Sequence, residues 1–383
     1  MSDLTRDLFP LGIATGPAFC NREVERDTLK RNIRAGRHSW IWARRRIGKT
    51  SLVEQVILEL SQARPAIHAA RLDCNIVHDA DSLDQALRKS VASLAIAMSP
   101  GARSKAQALL AGVFARFQPS FQVGPSLFQM RLNPTETPAA NIAEVLLALD
   151  DLASSLNRRA VVVLDEFQQV SRLTHGRKDT TLEGAIRHAV ERAKRITYVF
   201  SGSERSLLAD MFENADRPLY HHSRKMSLGR ISAEHYFDFL NNAARARWQK
   251  PLSDKVIALI LKRSQRQPFY VNSLCSRLWD ARRPPSQAAV ESAWAEVVEE
   301  STPVVAERVR SLSATQRALL IGIANAGRVE QPTSQAFLAE IRLSASTGSN
   351  AKDVLEANDF IRPDLEGGWF IVDPVMYSYL RSE

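Results

Sequence analysis

The chain has 383 residues, of which 45% are hydrophobic and 24% charged, with only 16 glycines and 17 prolines. This composition is typical of a globular protein and excludes collagen-like, disordered and coiled-coil classes. Compact domains usually hold about 100 to 200 residues, so we expect two or three domains. No run approaches the roughly 18 consecutive apolar residues of a membrane-spanning helix, and no signal-peptide core follows the start. The sequence therefore predicts a cytoplasmic protein that does not act at a membrane.

The net charge is +9, and it is unevenly distributed. Residues 311–383 contain six Lys or Arg and nine Asp or Glu, a net charge of −3, which leaves +12 for residues 1–310. Clusters of Lys and Arg favour binding to phosphate backbones, so nucleic acid is a candidate partner of residues 1–310. The cysteines are too few and too scattered for a disulfide framework or a zinc site, and we expect reduced packing residues at Cys20, Cys74 and Cys275.

Alternating strand and helix signals in the first half predict an α/β fold with a parallel sheet. A β-branched run at 160–164 is typical of a central strand that is buried on both faces. Residues 117–132 alternate around Gly124-Pro125 like a hairpin, and we interpret 117–133 as an insertion. The other expected strands lie at 39–42, 67–72 and 196–200. The expected helices lie at 23–35, 51–60, 141–156 and 182–194, and a long helical region follows the strand 67–72.

The strand signal stops after Leu228. Helical patterns cover about 233–300, with Pro268 starting one helix, and predict a helical lid. Three further helices, at 314–325, 334–342 and 349–357, precede two short strands around Gly367-Gly368, which is the order of a winged helix. The predicted domains are therefore a nucleotide-binding domain (1–228), a lid (229–305) and a winged helix (306–383).

The segment between the first strand and its helix has the pattern of a phosphate-binding loop, with alanine in place of its first glycine. In such loops backbone N–H groups and a helix N-terminus bind the phosphates, the lysine reaches the β and γ oxygens, and the threonine hydroxyl binds Mg²⁺. The candidate ATP-binding residues here are Ala43, Arg44, Arg45, Arg46, Ile47, Gly48, Lys49, Thr50 and Ser51.

Two acidic residues complete this pattern about 115 residues later, at the end of the strand 160–164. Asp165 is expected to hold Mg²⁺ with Thr50, and Glu166 to polarise the water that attacks the γ-phosphate. An ordinary helix N-cap is the simpler interpretation of such a pair when no phosphate loop is present. The next strand ends in Ser201-Gly202-Ser203, where Ser201 or Ser203 could sense the γ-phosphate, or where the chain could simply turn.

These residues, together with Phe19-Cys20-Asn21-Arg22-Glu23 and Leu164-Asp165-Glu166-Phe167-Gln168, resemble the archaeal-type ATPase family, which is related to the STAND and AAA+ ATPases. The resemblance covers nearly the whole chain. It implies an AAA+-like P-loop ATPase domain, a helical lid and a C-terminal winged helix, with ATP and Mg²⁺ as ligands. Gln267-Pro268-Phe269-Tyr270 resembles the lid motif, and Asp373-Pro374-Val375 the family's ending.

Further roles follow from the resemblance alone. Asn21, Arg22 and Glu23 would lie beside the adenine, although a simple helix start explains the same residues. Pro268 would belong to the nucleotide-binding lid motif, in which Arg266 stands where the family has glycine. Either Ala43 or Arg266 could slow turnover.

An arginine often completes such sites, from the same chain or from a neighbouring subunit, because its guanidinium stabilises charge on the transferred phosphoryl group. The candidates are Arg217 and Arg224, which flank the segment Pro218-Leu219-Tyr220. A solvated surface arginine is the alternative for each of them.

We find no second catalytic constellation, so the sequence favours a slow ATPase that acts as a nucleotide-controlled switch, directed at a protein partner or at self-association. The alternative is a DNA-binding ATPase that uses basic clusters such as Arg245 to Lys250 and Lys262 to Arg266. Against DNA, the expected recognition helix at 349–359 has only Lys352 against Asp353, Glu356 and Asp359. A nucleotide binder that has lost hydrolysis is a third hypothesis.

Overall fold

The computed structural model describes residues 8–99, 137–173, 179–364 and 367–381. Contacts divide the chain into two compact units. One unit is Gly12–Ile231, and the other joins the residues before Gly12 to Ser232–Glu383. The hairpin expected at 117–133 lies outside the described residues. None of the helices in these described ranges is long and apolar enough to cross a membrane.

The unit Gly12–Ile231 is built on a five-stranded sheet. Its strands are β1 (Ser39–Trp42), β2 (His68–Asp73), β3 (Ala160–Asp165), β4 (Ile196–Gly202) and β5 (Arg224–Ser227). All neighbours are parallel, in the order β2-β3-β4-β1-β5. Every position of β3 and β4 is buried, as expected of central strands with helices on both faces. The predicted α/β fold with a parallel sheet is confirmed.

The described helices of this unit are α1 (Glu23–Arg34), α2 (Lys49–Gln62), α3 (Ala80–Met98), α4 (Pro138–Ser155), α5 (Thr181–Arg192) and α6 (Arg205–Glu213). Side chains of β3 alternate between two hydrophobic clusters, because successive residues of a strand lie on opposite faces. Val162 and Leu164 belong to one cluster, while Val161 and Val163 belong to the other, which contains Leu52 of α2. This core fixes α2 against the sheet.

The helix α6 and the strand β5 of this unit were not predicted from the sequence. The strand β5 exposes Arg224, Lys225 and Ser227 and buries only Met226. An edge strand contacts the core with few side chains, so it lacks the apolar run by which the central strands are recognised.

The other unit begins with four helices, α7 (Ala233–Trp248), α8 (Asp254–Arg263), α9 (Pro268–Trp279) and α10 (Gln287–Arg310). They agree with the helical pattern expected at 233–300 and with a helix that starts at Pro268. The helix α10 continues beyond residue 305, so the expected domain boundary at 305–306 falls inside it. The chain's first described residues belong here as well, because the ring of Phe9 packs against Phe239 and Trp279.

The C-terminal part contains α11 (Ala314–Ala326), α12 (Gln335–Glu340), α13 (Ala345–Ala357), β6 (Ile361–Pro363), β7 (Trp369–Ile371) and α14 (Pro374–Leu380). The strands β6 and β7 are antiparallel, with Ile361 opposite Ile371. Three helices followed by a hairpin confirm the predicted winged helix. The final helix α14 was not predicted.

Two sequence motifs of this unit contact each other. Gln267 Nε2 donates a hydrogen bond to the Val372 carbonyl (2.6 Å), and the Tyr270 hydroxyl donates to Asp373 Oδ1 (2.7 Å). The same Asp373 oxygen accepts from the Val375 N–H (2.9 Å) and so caps α14. The first turn of α9 is therefore fixed to the first turn of α14.

Arg266, which precedes α9, has a φ of +58°. A left-handed backbone favours glycine, and other residues pay roughly 1 kcal/mol to adopt it. Arg266 therefore occupies a position whose backbone conformation favours glycine.

A buried ion pair joins α5 to the segment after α6. Arg217 Nη2 contacts the carboxylate of Glu183, and their side chains are 7% and 2% exposed. Asp210 Oδ2 lies 3.6 Å from Arg217 Nε. Burial raises the pKa of Glu183 to about 7, although Arg217 lowers it, and the charge of Asp210 adds to the increase.

We predict that Glu183 makes the free energy of unfolding depend on pH. Its folded-state pKa of about 7 lies above its ordinary value of 4.5. Its contribution to stability is therefore complete below that ordinary value and is lost as the pH rises through 7. Relative to Glu183→Gln, the wild type should lose roughly 3 kcal/mol over this range. Urea unfolding of both proteins across the range measures the difference, and parallel stability curves would contradict the prediction.

Candidate nucleotide-binding site

The phosphate loop connects β1 to α2. Gly48, the N-cap of α2, has a φ of +89°, and Arg46 has a φ of +67°. These left-handed residues turn the chain so that α2 begins at Lys49. Ala43 is fully buried in the cluster with Ile47, and its φ is not in the left-handed region. Its methyl group thus packs into the core, and the backbone at this position has no need of glycine.

The strand order brings the two acidic residues to this loop. Asp165 ends β3 and Glu166 follows it, while β4 lies between β3 and β1. Lys49 Nζ is 3.3 Å from Asp165 Oδ1 and forms a second ion pair with Glu166 Oε1. The Thr50 hydroxyl donates to Asp165 Oδ2 (3.0 Å). Residues more than 100 positions apart therefore form one cluster of charged and polar groups.

Asp165 is buried and ionised. Burial by itself raises the pKa of Asp165, but the charge of Lys49 and hydrogen bonds from Ser201 and Thr50 outweigh it and hold this pKa below its usual value. The Ser201 hydroxyl donates to Asp165 Oδ1 (2.5 Å) and is itself fully buried. Ser201 therefore orients the carboxylate that the sequence assigns to Mg²⁺.

Glu166 has its own set of donors. Its Oε2 atom accepts from the Ser203 N–H (3.1 Å), the Ser203 hydroxyl (2.8 Å) and Gln168 Nε2 (2.6 Å). Burial raises the pKa of Glu166, but Lys49 outweighs this effect, so the pKa lies below its ordinary value. The sequence left open whether Ser201 or Ser203 belongs to the site. The structure places both there, one on each carboxylate.

The segment expected beside the adenine contacts the same loop. Asn21 and Arg22 both have left-handed backbones, with φ of +53° and +68°. Arg22 is 5% exposed, and its Nη2 atom donates to the carbonyls of Ile47 (3.0 Å) and Gly229 (2.7 Å). Glu23 is exposed at the start of α1. Arg22 thus ties the start of α1 to the phosphate loop.

The residues before this segment lie along α2. The Ala14 N–H donates to the Ser51 hydroxyl (3.0 Å), and the Gly16 N–H donates to Gln55 Oε1 (2.7 Å). These bonds hold residues 14–16, where a short 3-10 helix begins, beside the helix that starts at the phosphate loop.

The remaining candidates were two arginines, Pro268 and the arginines of the phosphate loop. Arg217 is engaged in the buried pair with Glu183, away from the charged cluster. Arg224 is exposed opposite Ser39 at the amino end of β1, whereas the phosphate loop follows the carboxyl end. Pro268 belongs to the other unit. In the loop itself, Arg45 and Arg46 are exposed and Arg44 is half-buried.

Two residues of the cluster were not assigned roles from the sequence. Gln168, which is 1% exposed, holds Glu166, and Arg71 of β2 donates to Asp165 Oδ2 (3.1 Å). Gln168 lies two residues after Glu166 in a 3-10 helix. A helical turn predicted at this position would have placed the Gln168 side chain near the Glu166 carboxylate. Nothing in the strand 67–72 singled out Arg71, because its contact depends on the pairing of β2 with β3.

The donor groups fit Mg²⁺ and a nucleotide triphosphate. Thr50 and Asp165 offer hard oxygen atoms 3.0 Å apart, and Mg²⁺ typically takes one or two protein carboxylates while substrate phosphates and water complete its ligands. No group of three or more His, Cys, Asp or Glu in the described ranges could hold a metal. A site shared between protein and phosphates needs no such group.

Comparisons with known proteins agree with this architecture. Residues 305–382 match a family whose description is "Probable winged helix domain". The Walker-type ATPase of Pyrococcus abyssi is similar with a TM-score of 0.70 and 17% identity, over 98% of this chain and 99% of that one. The ORC2 protein of Aeropyrum pernix, in ADPNP-ADP complexes, has a TM-score of 0.63 and 15% identity, over 99% and 96%.

The ADP form of the same ORC2 protein has a TM-score of 0.54 and 14% identity, again over 99% of this chain and 96% of that one. No curated protein sequence matches the chain. At these identities the likeness concerns the fold. The chain thus has the fold of Walker-type and ORC-like ATPases with a C-terminal winged helix, which confirms at this level the resemblance drawn from its motifs.

We predict that Gly202→Ala disturbs the support of Glu166. A Cβ atom at position 202 would lie 2.0 Å from Gln168 Oε1 and 2.8 Å from Leu208 Cδ1. Gln168 must then move within a buried environment, which should lower the free energy of unfolding by about 1 to 3 kcal/mol. Gly184→Ala on α5 is the matched control, since no atom lies within 4 Å of its added Cβ.

The control should stabilise the protein by up to about 1 kcal/mol, because alanine favours a helix over glycine. Thermal and urea unfolding of the two variants measure both effects. Equal stability of the variants would refute the close packing around Gly202.

Proposed function

We propose that the protein binds ATP with Mg²⁺ and hydrolyses it slowly, and that the bound nucleotide controls a conformation recognised by a protein partner or by further copies of the chain. The observation that carries this proposal is the meeting of Lys49 and Thr50 with Asp165 and Glu166. Such a set of residues at the carboxyl ends of parallel strands suits phosphoryl transfer to water.

Each residue of the cluster has a distinct task. Lys49 binds the β and γ oxygens of ATP, and Thr50 and Asp165 hold Mg²⁺. When bound, Mg²⁺ neutralises charge on the phosphate oxygens. Glu166, ionised because its pKa is low, accepts a hydrogen bond from the attacking water and polarises it. Ser203 keeps the Glu166 carboxylate in place.

The ion pair between Lys49 and Glu166 is the contact that ATP binding changes in this proposal. Triphosphate oxygens compete with Glu166 for the lysine, so ATP binding frees one oxygen of Glu166 for water. Glu166 Oε2 remains bound to Ser203, which follows β4, and to Gln168. ATP binding thereby changes the environment of Glu166, and through its contacts it affects the segments that follow β3 and β4.

A protein partner fits the winged helix better than DNA does. Lys352 of α13 lies 3.0 Å from Glu356 and 3.3 Å from Asp353, and 4.3 Å from the ring centre of Trp369. The lysine of the expected recognition helix is thus already neutralised by two carboxylates. Such a surface repels phosphate backbones, which favours a role of the winged helix in protein contacts.

DNA binding by the rest of the chain is the second candidate function. Residues 1–310 carry a net charge of +12. Lys250 and Lys262 are exposed, whereas Arg263 is paired with Glu291 (2.7 Å). Exposed cations without acidic partners are the groups that release counterions from DNA.

Lys49→Ala should weaken ATP binding by about 10- to 100-fold, because it removes a charged donor to the phosphates. Glu166→Gln should leave ATP binding intact and lower turnover by about 100-fold or more, since the amide cannot act as the base. Fluorescent-nucleotide binding and phosphate release measure the two effects. The matched control is Lys89→Ala, an exposed lysine of α3.

The Glu166→Gln variant also tests the switch, because it should hold ATP without consuming it. Its small-angle scattering profile with ATP should differ from that of the ADP-loaded wild type. Identical profiles would count against a conformational switch, and unchanged turnover in Glu166→Gln would count against the hydrolytic role.

Duplex DNA should leave the ATP turnover of the wild type unchanged if the output is a protein contact. If DNA is the partner, turnover should rise with DNA and log K for DNA should fall linearly with log salt concentration. Neutralising Lys262, Arg263 and Arg266 together should then reduce that slope by up to about 3. Lys352→Ala, on the neutralised helix, is the control and should leave the slope unchanged.

A further inference from the structure

Arg71 is a cation of the candidate site that lies on β2, which is separated from β1 by two strands. It pairs with Val163 of β3 in the parallel register. Its neighbours Ala70 and Leu72 pack into one hydrophobic cluster, so Arg71 lies on the opposite face of the sheet, where α2 packs. That face also carries Asp165, two residues beyond Val163. The position of Arg71 is thus determined by strand pairing.

The guanidinium of Arg71 bridges two carboxylates. Its Nη2 atom donates to Asp165 Oδ2 (3.1 Å) and its Nη1 atom donates to Glu54 Oε1 of α2 (2.8 Å). The same Oδ2 atom accepts from the Thr50 hydroxyl (3.0 Å). Arg71 and Thr50 therefore share one oxygen of Asp165, the carboxylate assigned to Mg²⁺.

The charges around this oxygen nearly balance. Lys49 and Arg71 lie among the carboxylates of Glu54, Asp165 and Glu166, a net charge of −1. Without Arg71 the same group would carry −2. An arginine stays charged at every physiological pH, so its repulsion of a divalent cation is permanent. An added anion then strengthens the attraction of a metal ion to Asp165.

We propose that Arg71 is an internal cation of the Mg²⁺ site, which keeps the metal from binding to the nucleotide-free protein and makes metal binding depend on bound nucleotide. This inference rests on the proposed ATP function. The triphosphate supplies the negative charge that offsets Arg71, so nucleotide and metal enter together. Glu54 holds the guanidinium at Asp165 and limits its repulsion.

The test is Mn²⁺ binding to the full-length, nucleotide-free protein, measured by the electron paramagnetic resonance of the free ion. Arg71→Met should bind Mn²⁺ about tenfold more tightly than the wild type, because one positive charge near the metal is lost. Arg71→Gln, which keeps an amide donor for Asp165, should change the affinity in the same direction. Arg71→Lys keeps the charge and should resemble the wild type.

The matched control is Arg187→Met, because Arg187 forms a similar pair with Glu191 (2.8 Å) on the surface of α5. It should leave Mn²⁺ binding unchanged. Thermal unfolding checks that each variant is folded. If the Arg71 variants do not fold, Glu54→Gln provides the opposite test. Loss of the carboxylate that offsets Arg71 should weaken Mn²⁺ binding to the ADP-loaded protein.

Wild-type Mn²⁺ affinity in Arg71→Met and Arg71→Gln, or unchanged affinity in Glu54→Gln, would overturn the inference. Binding of a fluorescent ADP analogue in the presence of Mg²⁺ separates this outcome from a failure of the proposed function. If the wild type does not bind the analogue, the proposed function fails. If it binds and the Arg71 variants leave Mn²⁺ binding unchanged, only the role of Arg71 fails.

Discussion

Lys49 is the charge on which the candidate site depends. At the end of β3 the carboxylate of Asp165 is buried and that of Glu166 half-buried, and both still have lowered pKa values. Charges removed from water cost several kcal/mol each unless they are paired and hydrogen-bonded. The lysine at the start of α2, with Ser201 and Ser203 from the end of β4, supplies that pairing. Strand order and helix position are both needed to bring these groups together.

The backbone at Glu166 explains how two consecutive residues can reach one lysine. Along a regular strand Asp165 and Glu166 would lie on opposite faces of the sheet. The φ of +49° at Glu166 turns the chain out of the strand, so both carboxylates approach Lys49. Arg46 and Arg22 adopt the same unfavourable region close by. Such strain typically collects at functional sites, where the surrounding contacts compensate for it.

The winged helix contributes structure and an acidic surface. The start of α14 is held to α9 by the hydrogen bond between Tyr270 and Asp373, so two motifs from distant parts of the sequence stabilise one another. The carboxylates around Lys352 give α13 a negative local charge, and under the proposed function this charge disfavours nucleic acid. The chain shares the fold of ORC-like ATPases, whereas a partner is recognised by the side chains at a particular site.

The sequence alone determined the parallel α/β sheet, the helical and winged-helix segments and the grouping of Lys49 with Asp165 in one candidate site, because apolar periodicity and short motifs are local properties. It missed β5, an edge strand with little apolar character. Tertiary structure alone decided that Arg217 pairs with Glu183 and that Arg71 reaches Asp165. Those contacts depend on which strands and helices become neighbours. The spacing of residues along the chain does not indicate which elements pack together, so it could not predict these contacts.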